Sequence, residues 1–586
     1  MCGIVGTVGT IPTRDRFEKS RDVLEHRGQD DFGLFYEPVQ GIALGHRRLS
    51  IIDISSAGHQ PFFSNDKRFI LIFNGEIYNY LEIKKELEDF YNFKTKTDTE
   101  VALASYLKWG EKCLEKFNGM YAFAIWDVKE KKLFCARDRL GVKPFFYYFN
   151  GKQFAFASEI KALLKLEIKT SPNEPIIFDF LYHGMYDHTD ETFFKGIKTL
   201  SPGHFIIYKE GKMQIYKYWD LADLRDREIR DPGEEIVKEN FKTLLTDSIK
   251  LRFRSDVPVG VNLSSGLDSN SLYHFALQVT KNDLHTFSMC LESNEYNECG
   301  LVEEMLDAKY RKFWHSCYLN PQEVLGAAEK MNEIQDQPYG GIPTIAYDFL
   351  IKLSEDFKTV VLLEGQGVDE ILAGYPYYQI EHEKDISSNL SNISTVHYGQ
   401  DMSKLIPKQV LDGDFVNLYK ERELNFFQPF KSHLLNAQYR DIRYAKLPRV
   451  LRFNDHVTMH HGRELRVPFL DYRIVEFCFF LPAKYKIRGQ SQKYILRKLM
   501  AGIIPPETKD RRKKVFGAIQ TEWFRRYFKK QITDLLNDSS FKNLGYWNYK
   551  NLDMEVKKFY NGQVTNSFFI WQCLNLKMWF KNFFDK

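Results

Sequence analysis

The sequence predicts an α+β domain with stacked antiparallel sheets, joined to an α/β domain with a parallel sheet. In the first two hundred residues, short alternating strands are separated by tight turns, and Asn150-Gly151 lies between two apolar runs as a strong hairpin signal. After Pro232 the pattern changes to longer helical segments. They are interrupted by apolar runs at 257–263 and 359–363, which are typical of buried parallel strands. The domain boundary is therefore expected between residues 205 and 235.

The predicted elements fall into the same two domains. Residues 120–127 and 132–137 predict a second hairpin. We expect a first domain over 2–210 and a second over 232–586. Residues 379–405, rich in Ser and Asn, predict a surface insertion loop. Near the C-terminal end, residues 568–584 predict a helix whose apolar face forms core or interface rather than a ligand site: Phe569, Cys573, Leu576 and Phe580.

Composition and charge exclude several classes of protein. Of 586 residues, 44% are hydrophobic and 27% charged, so the chain can build two or three cores. The net charge of +4 is small, so it indicates neither a nucleic-acid partner nor an acidic membrane surface. The eight cysteines show no C-x-x-C pair or metal-ligand spacing, which favours a reduced, cytoplasmic setting. Without a signal peptide or an apolar run of about 18 residues, a soluble protein is expected.

Cys2 is the most informative single residue. Removal of Met1 would expose a cysteine whose free α-amine can accept the thiol proton directly or through one water. The resulting thiolate is a strong nucleophile for a carboxamide carbon. Taken alone, Cys2 is better interpreted as a small buried residue that starts a β-strand. The rest of the first hundred residues favours the nucleophile.

Several of those residues supply what chemistry on the amide of glutamine needs. Arg48 is a candidate clamp for the α-carboxylate, because a guanidinium can donate two parallel hydrogen bonds to it. Glu76 and Asp98 are candidates for the ammonium end. Asn74 and Gly75 follow an apolar strand and can direct an amide side chain and a backbone N–H at a developing oxyanion. Each has a structural interpretation as well, as a surface charge, an ordinary turn or a helix N-cap, so their occurrence together is what favours chemistry.

Six short segments of the first domain carry a family resemblance. They are Met1-Cys-Gly-Ile4, His26-Arg-Gly28, His46-Arg-Arg-Leu-Ser-Ile51, Asn74-Gly-Glu-Ile-Tyr-Asn79, Arg137-Asp-Arg-Leu-Gly-Val-Lys-Pro144 and Ser158-Glu-Ile-Lys-Ala162. The chain resembles the class II glutamine amidotransferases, and more closely the glutamine-hydrolysing asparagine synthetases.

That resemblance implies an Ntn-hydrolase fold, with antiparallel sheets stacked between helices. In such a domain Cys2 would attack glutamine, form a glutamyl thioester and release ammonia. The resemblance also implies that Asn74 and Gly75 form the oxyanion hole. It implies glutamine binding by the following positions: Arg48, Leu49, Ser50, Ile51, Ile52, Asn74, Gly75, Glu76 and Asp98.

The second domain contains a candidate phosphate loop. Residues 263–270, Leu-Ser-Ser-Gly-Leu-Asp-Ser-Asn, follow a buried strand and open a helix, so backbone N–H groups can surround a phosphate chain. The spacing is not that of a Walker A loop, because no Gly-Lys-Ser follows, and a serine-rich turn with one Asp is also a common cap. The segment resembles the pyrophosphatase loop of N-type ATP enzymes, with Ser265 in place of the usual glycine. The resemblance implies ATP and Mg²⁺, with Asp268 and Asp369 sharing the metal.

Further matches extend into the C-terminal third: Asp455, Glu464-Leu-Arg-Val-Pro-Phe-Leu-Asp471 and Lys493-Tyr-Ile-Leu-Arg497. In the family, the residue at Lys493 neutralises charge on the adenylate or pyrophosphate, although alone it is one of many solvated lysines. The resemblance also implies nucleotide contacts, with adenine near Leu263 and Met289. The full set of positions is Leu263, Ser264, Gly266, Asp268, Ser269, Met289, Glu364 and Gly365.

One segment departs from the family pattern. The usual Ser-Gly-Glu-Gly-Ser-Asp-Glu is here Glu364-Gly-Gln-Gly-Val-Asp-Glu370, so a carboxylate facing the acceptor and ammonia has become Gln366. A glutamine can hold a substrate by hydrogen bonds but cannot take a proton from ammonia. Glu364 restores a negative charge nearby only if the strand continues through Gly365, because positions two apart then point the same way.

The sequence thus predicts an ATP-dependent, glutamine-hydrolysing amidotransferase of the asparagine-synthetase type. Ammonia would pass through the interior to an acyl adenylate in the second domain. The leading acceptor is aspartate, which would give asparagine, AMP, pyrophosphate and glutamate. The alternative is another carboxylate, such as a uronic acid of surface polysaccharide, and Gln366 is its main support.

A non-catalytic binding or regulatory protein on the same fold is a third interpretation. It is disfavoured because Cys2, Asp268, Asp369 and Lys493 are all retained. The expected partners are small molecules, namely glutamine, ATP and the carboxylate acceptor, with no nucleic acid and no membrane. A homodimer is left open.

Overall fold

The computed structural model describes residues 2–229, 231–280, 283–291, 299–386, 406–505 and 517–585. The strands of the first domain are β1 (Gly3–Gly9), β2 (Asp31–Glu37), β3 (Ile42–Arg48), β4 (Phe62–Phe63), β5 (Phe69–Ile77), β6 (Gly119–Asp127), β7 (Lys132–Arg137), β8 (Phe146–Phe149), β9 (Gln153–Ala157), β10 (Ile197–Thr199), β11 (His204–Lys209) and β12 (Lys212–Lys217). Its helices are α1 (Arg14–Asp22), α2 (Tyr80–Leu87), α3 (Asp98–Trp109), α4 (Cys113–Lys116), α5 (Ile160–Lys165) and α6 (Glu174–His183).

Two antiparallel sheets stack on each other in the first domain. Their strand orders are β10-β8-β9-β1-β3-β2 and β12-β11-β7-β6-β5-β4. Apolar side chains from both sheets form one buried cluster, which includes Ile4, Leu44, Ile72 and Phe156. Burial of this layer is the main favourable term that holds the sheets together. The predicted antiparallel sheets are therefore confirmed, and β12 lies within the interval of 205 to 235 in which the domain boundary is expected.

Both predicted hairpins are confirmed. Asp127 pairs with Lys132 across the β6–β7 turn, and Phe149 pairs with Phe154 across the Asn150-Gly151 turn. Gly151 has a φ of 85°, the left-handed conformation that a two-residue hairpin turn favours. Local turn chemistry was sufficient to locate these pairings.

The second domain contains a parallel sheet surrounded by helices. Its strands are β13 (Val259–Asn262), β14 (Thr286–Cys290), β15 (Trp314–Tyr318), β16 (Val361–Leu363) and β17 (Glu464–Arg466), with a small hairpin of β18 (Ile487–Arg488) and β19 (Ser491–Gln492). Its helices are α7 (Glu234–Arg252), α8 (Leu267–Val279), α9 (Cys299–Met305), α10 (Val324–Gln335), α11 (Ile342–Asp356), α12 (Val368–Ile371), α13 (Pro376–Ile386), α14 (Gly413–Tyr419), α15 (His433–Arg440), α16 (Leu447–His460), α17 (Tyr472–Phe479), α18 (Tyr494–Leu499), α19 (Gly517–Tyr527), α20 (Lys529–Asn537), α21 (Ser539–Lys542), α22 (Tyr549–Tyr560) and α23 (Phe568–Phe583).

The parallel sheet has strand order β15-β14-β13-β16-β17. Its strand pairs are parallel, as the apolar runs predicted. The carboxyl ends of β13 and β16 lie side by side and lead into the segments at 263–266 and 364–367. Ligands of open α/β sheets bind at this edge, so the topology brings the predicted nucleotide and acceptor segments together.

A buried ion network joins the two domains. Arg27 is fully buried and donates to Glu159 at 2.7 Å and to Asp455 of α16 at 2.9 Å. Lys143 lies 3.5 Å from the same Asp455, and His26 lies 3.0 Å from Glu159. Each charge in this network depends on its partners, because an unpaired buried charge is expensive.

Two expectations about the second domain require correction. Cys290 and Cys299 form a disulfide, whereas the cysteine pattern favoured reduced thiols throughout. The fold brings the end of β14 beside the start of α9, a proximity that spacing cannot reveal. Residues 379–386 of the predicted insertion loop belong to α13 and are helical, while 387–405 lie outside the described residues.

The C-terminal helix is confirmed as a core element. Helix α23 buries the predicted apolar face, Phe569, Cys573, Leu576 and Phe580. Across the described part of the chain, no helix combines the length and apolarity needed to cross a bilayer.

Candidate active site

Cys2 lies immediately before β1 and is buried. Its backbone N–H donates to Asn74 Oδ1 at 3.0 Å, and its carbonyl accepts from Arg27 Nε at 3.2 Å. Burial raises the pKa of the Cys2 thiol, whereas the Leu49 backbone N–H and Arg48 act in the opposite direction. The thiol is therefore protonated at neutral pH and needs a neighbouring base to become a nucleophile.

Asn74 and Glu76 lie two positions apart on β5, so their side chains share one face of the strand. Both are buried, and among the described residues Asn74 Nδ2 and Glu76 Oε2 have no hydrogen-bond partner. An unpaired buried polar group costs roughly 1–3 kcal/mol. One donor and one acceptor left unpaired beside Cys2 indicate a pocket that a polar ligand completes.

Gly75 lies between these two residues and has a steric role. A Cβ at this position would lie 2.1 Å from the carbonyl oxygen of Met120 and 2.6 Å from Cα of Tyr121 on β6. No real Cβ contact is that short, so only glycine allows the two strands to approach here. The close approach keeps the Gly75 backbone next to the predicted oxyanion position.

Arg48 is the last residue of β3 and directs its guanidinium into the loop that follows. Its Nη1 donates to the carbonyl of Ser55 at 2.7 Å, and its Nη2 donates to the carbonyl of Asp53 at 2.5 Å. Arg48 therefore shapes the loop that carries the predicted glutamine-binding backbone. Its role as a clamp for the glutamine carboxylate stays a prediction.

Residues 49–52 of this loop, also predicted to bind glutamine, contact Cys2, Asp30 and the second domain. The Leu49 backbone N–H acts on the Cys2 thiol, which places Leu49 alongside the nucleophile. The Ser50 N–H donates to Asp30 Oδ2 at 2.7 Å, and the Ile51 carbonyl accepts from the Asp256 N–H at 2.9 Å. The last contact attaches the loop to the second domain. Ile52 is buried.

Glu76 and Asp98 form an acidic pair beside the pocket. Burial is the main cause that raises the pKa of Asp98 to about 6; the Ile77 N–H at 2.9 Å opposes it and Glu464 adds to it. Burial, then Glu464 and Asp98, raises the pKa of Glu76 well above its ordinary value. Arg466 Nη2 lies 3.7 Å from Glu76 Oε1, and Arg466 Nε donates to Glu464 Oε1 at 2.5 Å. Glu76, Asp98 and Glu464 thus outnumber the nearby guanidinium of Arg466, so this end of the pocket favours binding of the ammonium group of a ligand.

The segment 264–266 forms a compact turn between β13 and α8. Ser264 Oγ accepts from the Gly266 N–H at 3.2 Å and lies 2.9 Å from Ser269 Oγ. Asn270 Nδ2 donates to the carbonyls of Ser264 and Gly266 at 2.9 and 2.7 Å. These bonds hold the turn at the N-terminus of a 13-residue helix, where backbone N–H groups favour a phosphate.

Leu263 and Met289 lie beside this turn on neighbouring parallel strands. The Leu263 N–H donates to the Phe287 carbonyl at 2.8 Å, and Ser288 Oγ donates to the Leu263 carbonyl at 2.7 Å. Leu263 is buried and Met289 is half-buried. The structure therefore brings together the two positions predicted to contact adenine.

Lys493 meets the two predicted metal ligands. Its Nζ lies 2.7 Å from Asp268 Oδ2 and 2.6 Å from Asp369 Oδ1. Burial disfavours the charge on Lys493, but the two carboxylates outweigh it and raise the pKa of the lysine. Gly374 allows this contact, because a Cβ there would lie 2.1 Å from Asp369 Oδ1 and 2.2 Å from Lys493 Cε. Near Asp268, a Cβ on Gly365 would lie 3.2 Å from the aspartate Cβ.

Both halves of the chain match known protein families. Residues 1–219 match the glutamine amidotransferase domain, and residues 240–581 match asparagine synthase. The chain belongs to the glutamine-hydrolysing asparagine synthetase family. It is 31% identical over 547 residues to asparagine synthetase [glutamine-hydrolyzing] 3 of Bacillus subtilis (strain 168), which covers 88% of this chain and 86% of that relative. It is 36% identical over 466 residues to putative asparagine synthetase [glutamine-hydrolyzing] 2 of Methanocaldococcus jannaschii, which covers 75% of this chain and 86% of that relative.

As a member of the asparagine synthetase family, the protein is an ATP-using, glutamine-hydrolysing amidotransferase. The sequence assigned no role to Glu464 and Arg466, which belong to the second domain and lie beside Glu76 of the first. They reach the glutaminase pocket because β17 is the edge strand of the second domain's sheet. The available signal was two charged residues that flank Leu465 within a motif otherwise rich in apolar residues, a pattern typical of a buried ion pair.

The substituted acceptor segment shows a further departure from expectation. Strand β16 ends at Leu363 and does not continue through Glu364 and Gln366. The strand geometry by which Glu364 would restore the negative charge missing at Gln366 is therefore absent. The loop nevertheless brings Gln366 Nε2 to 3.4 Å from Glu364 Oε2. Glu364 is buried and also accepts from Asn262 at 2.5 Å and Asn454 at 3.2 Å. Burial raises the pKa of Glu364, and these hydrogen bonds oppose the shift.

Proposed function

We propose that this protein converts aspartate to asparagine with ammonia taken from glutamine, and that it releases glutamate, AMP and pyrophosphate. The observation that carries the proposal is the buried pocket in which the Cys2 backbone, the unpaired amide of Asn74 and the unpaired carboxylate oxygen of Glu76 meet. A donor, an acceptor and a nucleophile in one pocket suit an amino-acid amide. The family membership supplies the ATP-dependent half.

In the glutaminase step, the Cys2 sulfur would attack the amide carbon of glutamine. The thiol proton would pass to the α-amine that removal of Met1 frees, since the Cys2 nitrogen already lies against Asn74 Oδ1 at 3.0 Å. Asn74 Nδ2 and the Gly75 N–H would stabilise the oxyanion. Glu76 and Asp98 would bind the ammonium group. The Cys2 α-ammonium would return the proton to the amide nitrogen, and collapse of the tetrahedral intermediate would break the C–N bond and release ammonia. Water would then hydrolyse the thioester to glutamate and the free Cys2 thiol.

In the synthetase step, the turn at 264–266 would hold the ATP phosphates. Asp268 and Asp369 supply hard carboxylate oxygens that suit Mg²⁺, which would neutralise phosphate charge there. Both carboxylates pair with Lys493, so this lysine lies at the position where phosphate charge would be neutralised. Lys493 would stabilise the departing pyrophosphate while the acceptor carboxylate is converted to an acyl adenylate.

Amidation of another carboxylate, such as a uronic acid, is the second candidate. The neutral Gln366 favours it, because the side chain offers no base for ammonia and points its amide at Glu364. If a uronate is the acceptor, Gln366→Glu should damage turnover by adding an anion that faces an anionic substrate. If aspartate is the acceptor, the same change should be tolerated or helpful. AMP release with aspartate and with galacturonate, in wild type and Gln366→Glu, separates the two.

The nucleophile is tested by Cys2→Ala. We expect the variant to lose glutamine hydrolysis and glutamine-dependent AMP release, and to keep AMP release driven by ammonium chloride, because the second domain needs only ammonia. Glutamate and AMP are measured with either nitrogen source. Cys317→Ala, at a half-buried free cysteine of the second domain, is the matched control. Substantial glutamate release by Cys2→Ala would remove Cys2 from the mechanism.

A further inference from the structure

A series of basic residues lies around the start of α16: Arg440, Arg443, Lys446, Arg449 and Arg452. Three of them pair with carboxylates, Arg440 with Asp441 at 3.1 Å, Arg443 with Asp220 at 3.8 Å and Arg452 with Asp187 at 2.8 Å. These three are ordinary structural ion pairs. The other two differ from them.

Lys446 makes no hydrogen bond or ion pair with its ammonium group within the described part of the chain. Its Nζ lies over the rings of Tyr375 and Tyr377, at 5.4 and 5.9 Å from their centres. Arg449 has no carboxylate partner among the described residues either, and its guanidinium lies over the ring of Tyr186 at 5.6 Å. Lys446 caps α16 and Arg449 lies in its first turn, so the two cations share one face of the helix.

The neighbouring carboxylates are already committed elsewhere. Asp441 accepts from the hydroxyls of Tyr377 and Tyr378 at 2.6 and 2.7 Å, in addition to Arg440. Glu370 Oε1 accepts from Tyr375 at 2.8 Å. Burial is the main cause that lowers the pKa of Lys446 to about 7; Arg449 adds to this shift, whereas Asp441 and Glu370 oppose it without contacting the ammonium group. A buried ammonium group that contacts no carboxylate and lies near a second cation is typical of a site that a ligand completes.

This pair is connected to the synthetase site through Tyr375. Tyr375 follows Gly374, which packs directly against Lys493 and Asp369. Gln492 Nε2 donates to the Tyr375 carbonyl at 2.7 Å, which attaches the tyrosine to the segment that carries Lys493. One residue, Tyr375, therefore contacts the Lys493 segment through its backbone and Lys446 through its ring.

We propose that Lys446 and Arg449 bind an anionic group of the acceptor other than the carboxylate that is amidated. The inference rests on the proposed function, because it places the acceptor beside Lys493. The α-carboxylate of aspartate and the phosphate of a nucleotide-linked sugar acid share the required chemistry. The tyrosines around the two cations provide apolar faces for the remainder of such a ligand.

The test uses the full-length enzyme with saturating ATP and ammonium chloride, and AMP release as the signal. For aspartate or uridine-diphosphate galacturonate, whichever is turned over, Lys446→Met and Arg449→Met should each raise KM at least tenfold with a smaller change in kcat. Lys446→Arg should restore most of the affinity, because it retains the charge. Glutamine hydrolysis should be unchanged in all variants. Lys85→Met, at an exposed lysine of α2, is the control substitution.

Acceptors with a single carboxylate, such as free galacturonate, discriminate the role of the pair. The KM of these acceptors should not change in the variants. An equal rise in their KM would overturn the inference, because the two cations would then bind the reacting carboxylate or only stabilise the fold. Unchanged KM for aspartate and for the nucleotide-linked acid would also overturn it, while continued AMP release would leave the proposed function intact. If the preparation shows no turnover, binding of the same three compounds is measured by calorimetric titration. Wild-type protein that binds none of them would also contradict the proposed site.

Discussion

At the scale of single residues, Asn74 shows how one side chain can be prepared for a ligand. Its Oδ1 is bound to the Cys2 nitrogen, which fixes the amide plane and leaves Nδ2 unpaired in a buried pocket. A donor fixed in this way needs no reorganisation when negative charge develops near it. If Asn74 is an oxyanion donor as proposed, its removal is expected to slow glutamine hydrolysis and to leave the synthetase reaction nearly unchanged.

We expect Asn74→Ala to lower kcat for glutamine hydrolysis by about 10²–10³-fold, the usual effect of losing one oxyanion donor. The KM for glutamine should change less, because the donor acts on charge that develops in the transition state. Glutamate release is the measurement, and Asn92→Ala at an exposed site is the control. A kcat within threefold of wild type would show that Nδ2 does not contact the oxyanion.

The buried acid Asp98 predicts a pH dependence of glutamine binding. Its raised pKa of about 6 means that the carboxylate takes up a proton as the pH falls through this value. The ammonium of glutamine then loses a charged partner, so KM should rise below pH 6, whereas the ammonium-driven reaction measured in parallel should not follow this curve. Asp98→Asn should raise KM and weaken its dependence on pH between about 5 and 7, because only Glu76 then remains to titrate beside the ammonium group. A flat profile in wild type would contradict the assignment.

At the scale of elements, short segments rather than long helices bring the synthetase groups together. Helix α12 spans only Val368–Ile371, yet Asp369 within it pairs with Lys493 at the start of α18. Lys493 also pairs with Asp268 at the start of α8. Three helix starts converge because Gly374 leaves space at the point of contact. The site depends on this missing side chain as much as on its charges.

Gly374→Ala should therefore separate Lys493 from Asp369. We expect at least a tenfold loss of AMP formation with either nitrogen source, because the added methyl would occupy the position of both groups. Glutamine hydrolysis, which takes place in the other domain, should persist. The matched control is Gly413→Ala at the start of α14, where a Cβ meets nothing within 4 Å. Equal activity in the two variants would show that the contact is not required.

At the scale of the whole molecule, the two catalytic halves share buried polar contacts. Arg27 connects Glu159 in the first domain with Asp455 in the second, and Arg466 carries charge from the second domain to Glu76. Removal of one member of a buried ion pair leaves the others uncompensated, which typically costs about 3–5 kcal/mol. The network therefore couples stability of the interface to the geometry of the glutaminase pocket, because Arg27 also donates to the Cys2 carbonyl.

We expect Arg27→Met to lower the thermal unfolding midpoint by several degrees, on the scale of a buried charge left unpaired. It should also reduce glutamine-dependent AMP release more than ammonium-dependent release, since both the interface and the Cys2 backbone lose a contact. Arg14→Met, which removes only the exposed pair with Glu18 at 2.8 Å, is the control and should change the midpoint little. Parallel losses with both nitrogen sources would mean that the network acts on global stability alone.

The sequence alone determined the features that depend on near neighbours along the chain. Turn residues predicted both hairpins, apolar runs predicted the parallel strands, and the periodic face of α23 was correctly assigned to the core. The motifs around Cys2 and the 263–270 turn predicted the family. These signals are local because strand pairing across a tight turn, helix amphipathicity and loop composition are set within a few residues.

Only the tertiary structure decided which charges meet. It brought Glu464 and Arg466 to Glu76, joined Gln366 to Glu364 after the strand had ended, paired Cys290 with Cys299, and left Lys446 and Arg449 without carboxylates among the described residues. The contact of Arg466 with Glu76 joins segments about 390 residues apart, and the Cys290–Cys299 and Gln366–Glu364 contacts, although close in the chain, depend on where a strand ends and how the chain turns after it. Charge and pKa at a site follow burial and the nearest opposite charge, and both are properties of the packed fold rather than of the sequence pattern.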